Sequence, residues 1–386
     1  MTNKWNTKLY IIGFTVMLGG LLILFIVSPK GTFSQFENRT LQSKVSFSWE
    51  ALVDKSFAED TETYLSDQFP FRQQWFMVKS IAEQARLMTV NNGIIHGENG
   101  YLFEPLKEPI WEDVEKYVDS INKFQGGFAN THMSLLLAPT SVEMYPQFLP
   151  KWSTSFSQKL TNDTIQTFLS TDINFIDGID ALQPHIAGEN NLYFRNDHHW
   201  TSYGAYFAYA EYMNSIGIEP IALDELQPNI MSSDFLGSYD TKGQFWGAQP
   251  DEIVAFTNPW FSSQMFIADD ESTSDSLYYD TFLDVKDQYS YYLGGVHALM
   301  TITNEPINGQ TAKKPEIDKL LVIKDSYAHN FIPLLVNHAR EIHVVDLRYY
   351  NGSMKAYMEQ EQFDEVLLLY NTPTFVSERS LLNLKY

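Results

Sequence analysis

The 386-residue sequence contains no cysteine. That excludes a disulfide framework and any metal site built on thiolates, and it is compatible with an exported chain. Positive charge is scarce as well. Only 26 Lys and Arg stand against 48 Asp and Glu, for a formal net charge of −22 and a pI near 4.7. Such a chain repels nucleic acid and other polyanionic surfaces, so no nucleic-acid partner is expected. Histidine is rare, nine in all, and two of the nine stand side by side after an aspartate. No internal repeat or coiled-coil heptad occurs. What is abundant is apolar and aromatic: 44% hydrophobic and 15% aromatic residues supply material for a packed core in one large domain or two.

The only long hydrophobic run lies near the N-terminus. Lys4 and Lys8 precede an uncharged stretch from Leu9 to Val27, which ends at Ser28-Pro29-Lys30. Its 19 residues match the roughly 17–25 that span a bilayer and exceed a signal-peptide core. No A-x-A-like cleavage site follows. The flanking lysines orient the N-terminus to the cytoplasm and the remaining chain outward. A single-pass signal anchor over residues 1–28 is therefore expected, with a cleaved signal peptide as the alternative. Residues 29–90 read as a tether with helical segments from Phe57 to Leu65 and from Trp75 to Leu87, broken by Pro70.

From residue 91 onward the chain alternates. Gly93 to Phe103 reads as a β-hairpin with an Asn99-Gly100 turn. Helical spacing from Trp111 to Phe124 precedes a strand from Met133 to Leu137; helical spacing from Phe156 to Leu169 precedes a strand from Ile173 to Ile176. Short buried-strand runs recur at Leu320–Ile323, Ile342–Val345 and Val366–Leu369, with a helix expected over Ile332–Ala339. Strands without polar alternation, interleaved with helices, indicate an α/β fold with a parallel sheet and helices on both faces. Residues 223–318, rich in Asp, Ser, Tyr and Gly, read as an insertion lying beside that sheet, with an acidic piece at 268–276.

The chemistry concentrates in Asp197-His198-His199-Trp200-Thr201, ahead of a helix capped by Thr201 or Ser202. An extended backbone there puts Asp197 and His199 on one face and His198 on the other. A carboxylate beside an imidazole holds its tautomer and makes a general base if a nucleophile is near. The plainer alternative is a buried histidine satisfied by a local aspartate. The matching nucleophile is Ser326 of Lys324-Asp325-Ser326-Tyr327, directly after the strand Leu320–Ile323. Reacting groups in open α/β sheets gather at strand carboxyl ends, and a serine on such a turn leaves its own N–H free for an oxyanion hole. A helix cap is the plainer alternative here too. Asp-His-His is also a ligand string in metal-dependent phosphoesterases. Asp177 and Asp180 are available for such a site, but the remaining histidines lack partners, so no metal and no cofactor are expected.

These residues carry a resemblance. Asp197-His198-His199-Trp200 with Gly204-Ala205-Tyr206, then Asp325-Ser326-Tyr327 and Asp346-Leu347-Arg348-Tyr349-Tyr350, is similar to the DHHW protein family. Upstream, Asn38-Arg39-Thr40-Leu41, Asp67 to Arg72, Leu137-Ala138-Pro139 and Tyr145-Pro146 carry the same resemblance. That family resembles the SGNH-hydrolase-like domains of proteins that O-acetylate alginate. The resemblance implies a three-layer α/β/α fold and a triad of Asp197, His199 and Ser326. The order along the chain is circularly permuted, since ordinary SGNH hydrolases place Ser first. Where the family carries Gly-Gly-Asn this chain has Gly294-Gly295-Val296, so a backbone N–H of Gly294 or Gly295 would replace the Asn as oxyanion donor. The implied activity is O-acetyl transfer from a membrane acyl-donor protein to a surface polysaccharide at the cell membrane. An esterase with the same triad and a non-catalytic assembly scaffold are the alternatives. Tyr327, Tyr349 and Tyr350 are candidates to stack on sugars. Arg348 would hold an anionic acceptor group, or else pair with an acidic neighbour.

Overall fold

The computed structural model describes residues 4–34, 39–257, 260–307 and 315–385. Asn38, part of one motif above, lies outside the described residues. The chain divides into two compact units, one of residues 1–88 with 244–246 and the other of the remainder.

In the first unit, helix α1 (Lys4–Val27) carries the apolar run, and its side chains from Thr7 onward are almost all exposed. Residues 7–27 are long and apolar enough to cross a membrane. After a short helical turn at Trp49–Val53 come α2 (Ser56–Asp67) and α3 (Arg72–Ala85), separated at Pro70. The two upstream motifs meet here. The buried Asp67 carboxylate accepts from the Arg39 guanidinium at 2.5 and 3.1 Å and from the Gln42 N–H at 2.9 Å. The Arg39 hydrogen bonds outweigh burial and hold the Asp67 carboxyl below its ordinary range.

The second unit is built on an eight-stranded sheet. Its strands are β1 (His132–Ala138), β2 (Ile173–Asp177), β3 (Phe261–Ile267), β4 (Ser272–Ser274), β5 (Leu299–Pro306), β6 (Ile317–Lys324), β7 (Ala339–Val345) and β8 (Glu365–Asn371). Their spatial order is β4-β3-β5-β7-β6-β8-β1-β2. The five from β7 to β2 are parallel. Side chains alternate across them. Leu320, Val322, Leu367 and Leu369 pack on one face with helix α4 (Ser202–Ser215). Leu321, Ile323, Val366 and Leu368 pack on the other with α5 (Trp111–Gly127) and α6 (Met354–Glu361). Those are the three layers expected.

Two expectations are corrected. The sheet is mixed, because residues 261–306 do not lie beside it but extend it with three antiparallel strands next to β7. Their signature is polar alternation: Phe261, Met265 and Ile267 are buried while Ser262, Gln264 and Phe266 face outward. That pattern belongs to a half-solvated antiparallel edge and differs from the apolar runs of the parallel centre. The expected helix over 332–339 is only Ile332–Leu335, and Ala339 already starts β7.

Helix α4 starts where Thr201 caps it, its hydroxyl accepting from the Gly204 N–H at 3.3 Å. Gly204 sits under the preceding loop: a Cβ there would lie 2.3 Å from the Leu192 carbonyl oxygen and 2.9 Å from the Trp200 Cβ. The substitution Gly204→Ala should therefore cost roughly 1–3 kcal/mol by overpacking, read as a lowered denaturation midpoint. An unchanged midpoint would show that the loop gives way freely.

Candidate active site

The loop from Leu192 to Thr201 turns back on itself, with Tyr193 bridging Trp200 and the Thr201 N–H donating to the Leu192 carbonyl at 2.9 Å. At its tip the backbone bends; it is not extended as expected. Asp197 and His199 meet for a different reason. Asp197 Oδ1 accepts from the His199 backbone N–H at 2.9 Å and from its ring Nδ1 at 2.5 Å. Such an Asx turn pairs residues two apart without strand alternation. Nδ1 then carries the proton, which leaves Nε2 as the basic nitrogen. That nitrogen lies 2.7 Å from Ser326 Oγ.

Ser326 opens the turn after the central strand β6. The buried Asp325 anchors that turn, accepting from the Tyr327 N–H at 2.8 Å and from the backbone and side-chain nitrogens of Asn371 at 2.8 and 2.7 Å. Burial pushes the Asp325 carboxyl up to about 6 despite those donors. The Ser326 N–H makes no hydrogen bond among the described residues, so it is free to stabilise an oxyanion. Trp200 clamps the same turn from below. Its indole N–H donates to the Tyr327 carbonyl at 2.9 Å and to Asn330 Oδ1 at 2.8 Å.

Burial alone would raise the Asp197 carboxyl. The imidazoles of His199 and His198, with donation from His199 and the Ser238 N–H, outweigh it and hold the group well below the carboxylate range. It stays ionised and able to stabilise an imidazolium. The Ser238 N–H reaches Asp197 Oδ2 at 2.6 Å, and the preceding residue must be glycine. A Cβ at Gly237 would lie 2.3 Å from that same oxygen.

Sequence reasoning missed three of these contributors. Gly237 and Ser238 close over Asp197 from a segment with no motif of its own. Tyr289 lies flat on the His199 ring, 3.6 Å between centroids and 8° between planes, and its hydroxyl donates to the Ser326 carbonyl at 3.1 Å. The density of tyrosine in Tyr289-Ser290-Tyr291-Tyr292 was the only signal available for it.

His198 does not turn away as expected. Its ring lies 3.7 Å from that of His199, its Nδ1 is 2.7 Å from Ser238 Oγ, and it lines a groove of about 570 Å³ with Glu104, Thr140, Tyr239, Asn371 and Arg379. Enclosure and the adjoining His199 push its imidazole below the usual range. The possible ligand atoms of Asp197, His198 and His199 lie within 4.8 Å of one another. Two of them are committed to the 2.5 Å Asp197–His199 bond, which a metal would have to break.

Several expected binding residues are placed otherwise. Tyr327 is fully buried, its hydroxyl donating to the His198 carbonyl, so it supports the site and offers no surface to a sugar. Arg348 grips Asp346 through Nε at 2.8 Å and Nη2 at 2.6 Å, with the buried Lys324 3.2 Å from the same carboxylate. It is the ion pair, not a free anion clamp. Tyr350 packs against Tyr357, whereas Tyr349 is 53% exposed. The Gly295 N–H is donated to the Tyr292 carbonyl at 3.3 Å; the Gly294 N–H makes no hydrogen bond among the described residues. Asp177 and Asp180 both pair with Lys159.

A serine after a central parallel strand facing a histidine paired with an aspartate is the arrangement the resemblance leads one to expect. A family model described as DHHW protein matches residues 181–345, and one described as SGNH hydrolase-like domain, acetyltransferase AlgX, matches residues 94–254. The chain thus resembles DHHW proteins and the AlgX-type domain, as its motifs indicated. No curated protein sequence matches it. Among solved structures, a DHHW family protein from Eubacterium siraeum is similar at 20% identity and a TM-score of 0.64, over 76% of this chain and 95% of that one. PatB1 of Bacillus cereus is similar at 20% identity and a TM-score of 0.61, over 73% and 96% respectively. PatB1 carrying a sulfonyl adduct gives 20% and 0.60, over 76% and 100%. At this identity the likeness concerns the fold.

The Gly237 contact yields a test. Gly237→Ala should displace the Asp197 carboxylate and lower turnover of an acetyl-ester reporter by about 10²-fold, the scale of a 1 Å misplacement. Ser238→Ala, which keeps the backbone donor, should cost much less. Equal rates for both variants and the parent would remove Gly237 from the site.

Proposed function

We propose that the protein is a membrane-anchored, extracytoplasmic O-acyltransferase, acting through Asp197, His199 and Ser326 to acetylate a cell-surface polysaccharide. The observation that carries this reading is the continuous relay from Asp197 Oδ1 through His199 to Ser326 Oγ, at 2.5 and 2.7 Å. Nucleophile, base and orienting carboxylate are all within hydrogen-bond reach, the geometry nucleophilic catalysis needs.

In the first half-reaction His199 Nε2 takes the Ser326 hydroxyl proton as Oγ attacks the acyl carbonyl of a donor. The oxyanion meets the free Ser326 N–H, with the Gly294 N–H as a candidate second donor. The donor's leaving oxygen or sulfur departs with the proton from His199, leaving an acyl-serine. In the second half-reaction an acceptor hydroxyl gives its proton to His199 and attacks the acyl-serine. Collapse returns the proton to Ser326 Oγ and releases the acylated acceptor. We take the His198-lined groove as the acceptor's approach; Glu104, Glu108 and Asp113 outnumber Lys107 and Arg379 on its walls. Tyr349 remains a candidate sugar contact through its exposed ring. The match to an acetyltransferase family model supports the acyl group chosen. An α1 long enough to span a bilayer supports tethering beside a membrane acyl donor. Esterase action uses the same acyl-serine. It is favoured to the extent that the open groove admits water.

A sulfonyl fluoride, which would leave a sulfonyl adduct as PatB1 carries, should add to Ser326 alone and be located by peptide mass. Ser326→Ala and His199→Ala should each abolish labelling and ester turnover with little change in melting temperature. Asp197→Asn should lose about 10²–10⁴-fold, because the wrong tautomer is then favoured. Labelling elsewhere, or full turnover by Ser326→Ala, overturns the triad. Acetyl transfer to an oligosaccharide in excess of hydrolysis separates transferase from esterase.

A further inference from the structure

The first unit has folded helices with little hydrophobic core: among the described residues its buried apolar side chains are Pro70 and Phe245. Along the described residues the first fully buried hydrophobic side chain is Ile94. Between residues 39 and 88 the buried side chains are Asp67, Gln68, Pro70 and Ser80. The apolar residues there face outward instead: Trp49 is 75% exposed, Phe71 59%, Trp75 51%, Val78 55% and Ile81 44%.

Helix α3 is inverted relative to an ordinary surface helix. At 100° per residue, Trp75, Val78, Ile81, Ala82 and Ala85 fall within an arc of roughly 120°, interrupted only by Gln74. That stripe is exposed, whereas the opposite side carries the buried Ser80 with the half-buried Arg72, Phe76 and Glu83. A stripe of this kind is stable only where something apolar covers it.

The hairpin of α2 and α3 is tied to the end of α1. The Gln68 side chain accepts from the Gly31 N–H at 3.0 Å and donates to the Gly31 carbonyl at 2.9 Å. The Tyr64 ring meets the Phe25 ring edge-on at 5.9 Å, and Lys30 Nζ lies over Phe25 at 3.6 Å. Gly31 follows the end of the apolar run at Val27 by four residues, a reach of at most about 14 Å. The polar interface of a bilayer is itself about 5–8 Å deep on each side. Phe69 and Phe71, directly after Gln68, therefore sit where a membrane helix emerges, the depth at which aromatic side chains collect.

We propose that the exposed face of this unit, centred on Phe71, Trp75, Val78 and Ile81, lies in the outer headgroup interface of the lipid bilayer as a second membrane contact beside α1. The inference rests on α1 spanning the bilayer. An interfacial helix buries its apolar side about 5–10 Å into the headgroup and acyl boundary. The contact would hold the first unit against the membrane surface, adding to the tie that Gln68 and Tyr64 make with the end of α1.

The absence of cysteine makes the test direct. Single cysteines at Val78, Ile81, Gln73 and Leu18 of the full-length chain are spin-labelled after reconstitution into phosphatidylcholine vesicles. Accessibility to oxygen is then compared with accessibility to a water-soluble nickel chelate. Labels at 78 and 81 should favour oxygen several-fold more than the label at 73, and approach the label at 18. If 78 and 81 match 73, or are shielded from both reagents as beneath a protein partner, the interfacial contact is wrong. If the label at 18 is itself water-accessible, the spanning reading fails, and the inference with it.

Discussion

The candidate site depends on one carboxylate. Asp197 accepts the His199 backbone N–H, the His199 ring N–H and the Ser238 N–H. The first contact shapes the loop, the second sets the imidazole tautomer, and the third closes the neighbouring segment over the pair. A buried carboxylate needs several donors to stay ionised, and those donors also build the site. Local folding and the chemistry of the base thus have one physical cause.

The nucleophile is held by a parallel arrangement on the opposite side. Asp325 ties the turn to Asn371 at the end of β8, while Trp200 and Tyr289 fix the Tyr327 and Ser326 carbonyls and Asn330 donates back to the Trp200 carbonyl. The tryptophan of the Asp-His-His-Trp motif is thereby explained. It takes no part in proton transfer and instead registers the histidine loop against the serine turn, 127 residues apart in the chain. The buried Lys324 and Asp346, with the exposed Arg348, serve the same region by neutralising charge at the ends of β6 and β7.

The two halves of the chain solve burial in different ways. The second unit surrounds its sheet with two apolar layers, each fed by alternate residues of the same strands. The first has almost nothing inside and displays its apolar residues.

Much was legible from residues alone, because its causes are local. Uninterrupted apolar runs marked the five parallel strands, Thr201 announced its helix, and Asp197, His199 and Ser326 were singled out as candidates, Ser326 by its place after a strand and the other two by residue type next to a helix start. What stayed hidden depended on partners far away in the chain. The polar alternation of 261–306 did not say that these strands would complete the sheet edge beside β7, since a strand's partner is chosen by the open hydrogen-bonding edge it meets. Tyr289 and Gly237 have no local signature, because their roles exist only where the His199 ring and the Asp197 oxygen arrive. Arg348 could have faced a ligand or an acid, and the bidentate contact with Asp346 was decided by the turn that follows β7. The sequence by itself determined the central strands, most of the helices and the candidate residues, which follow from side-chain chemistry and periodicity. Only the tertiary structure decided which neighbours enclose them, because enclosure is a property of distances that residue order does not contain.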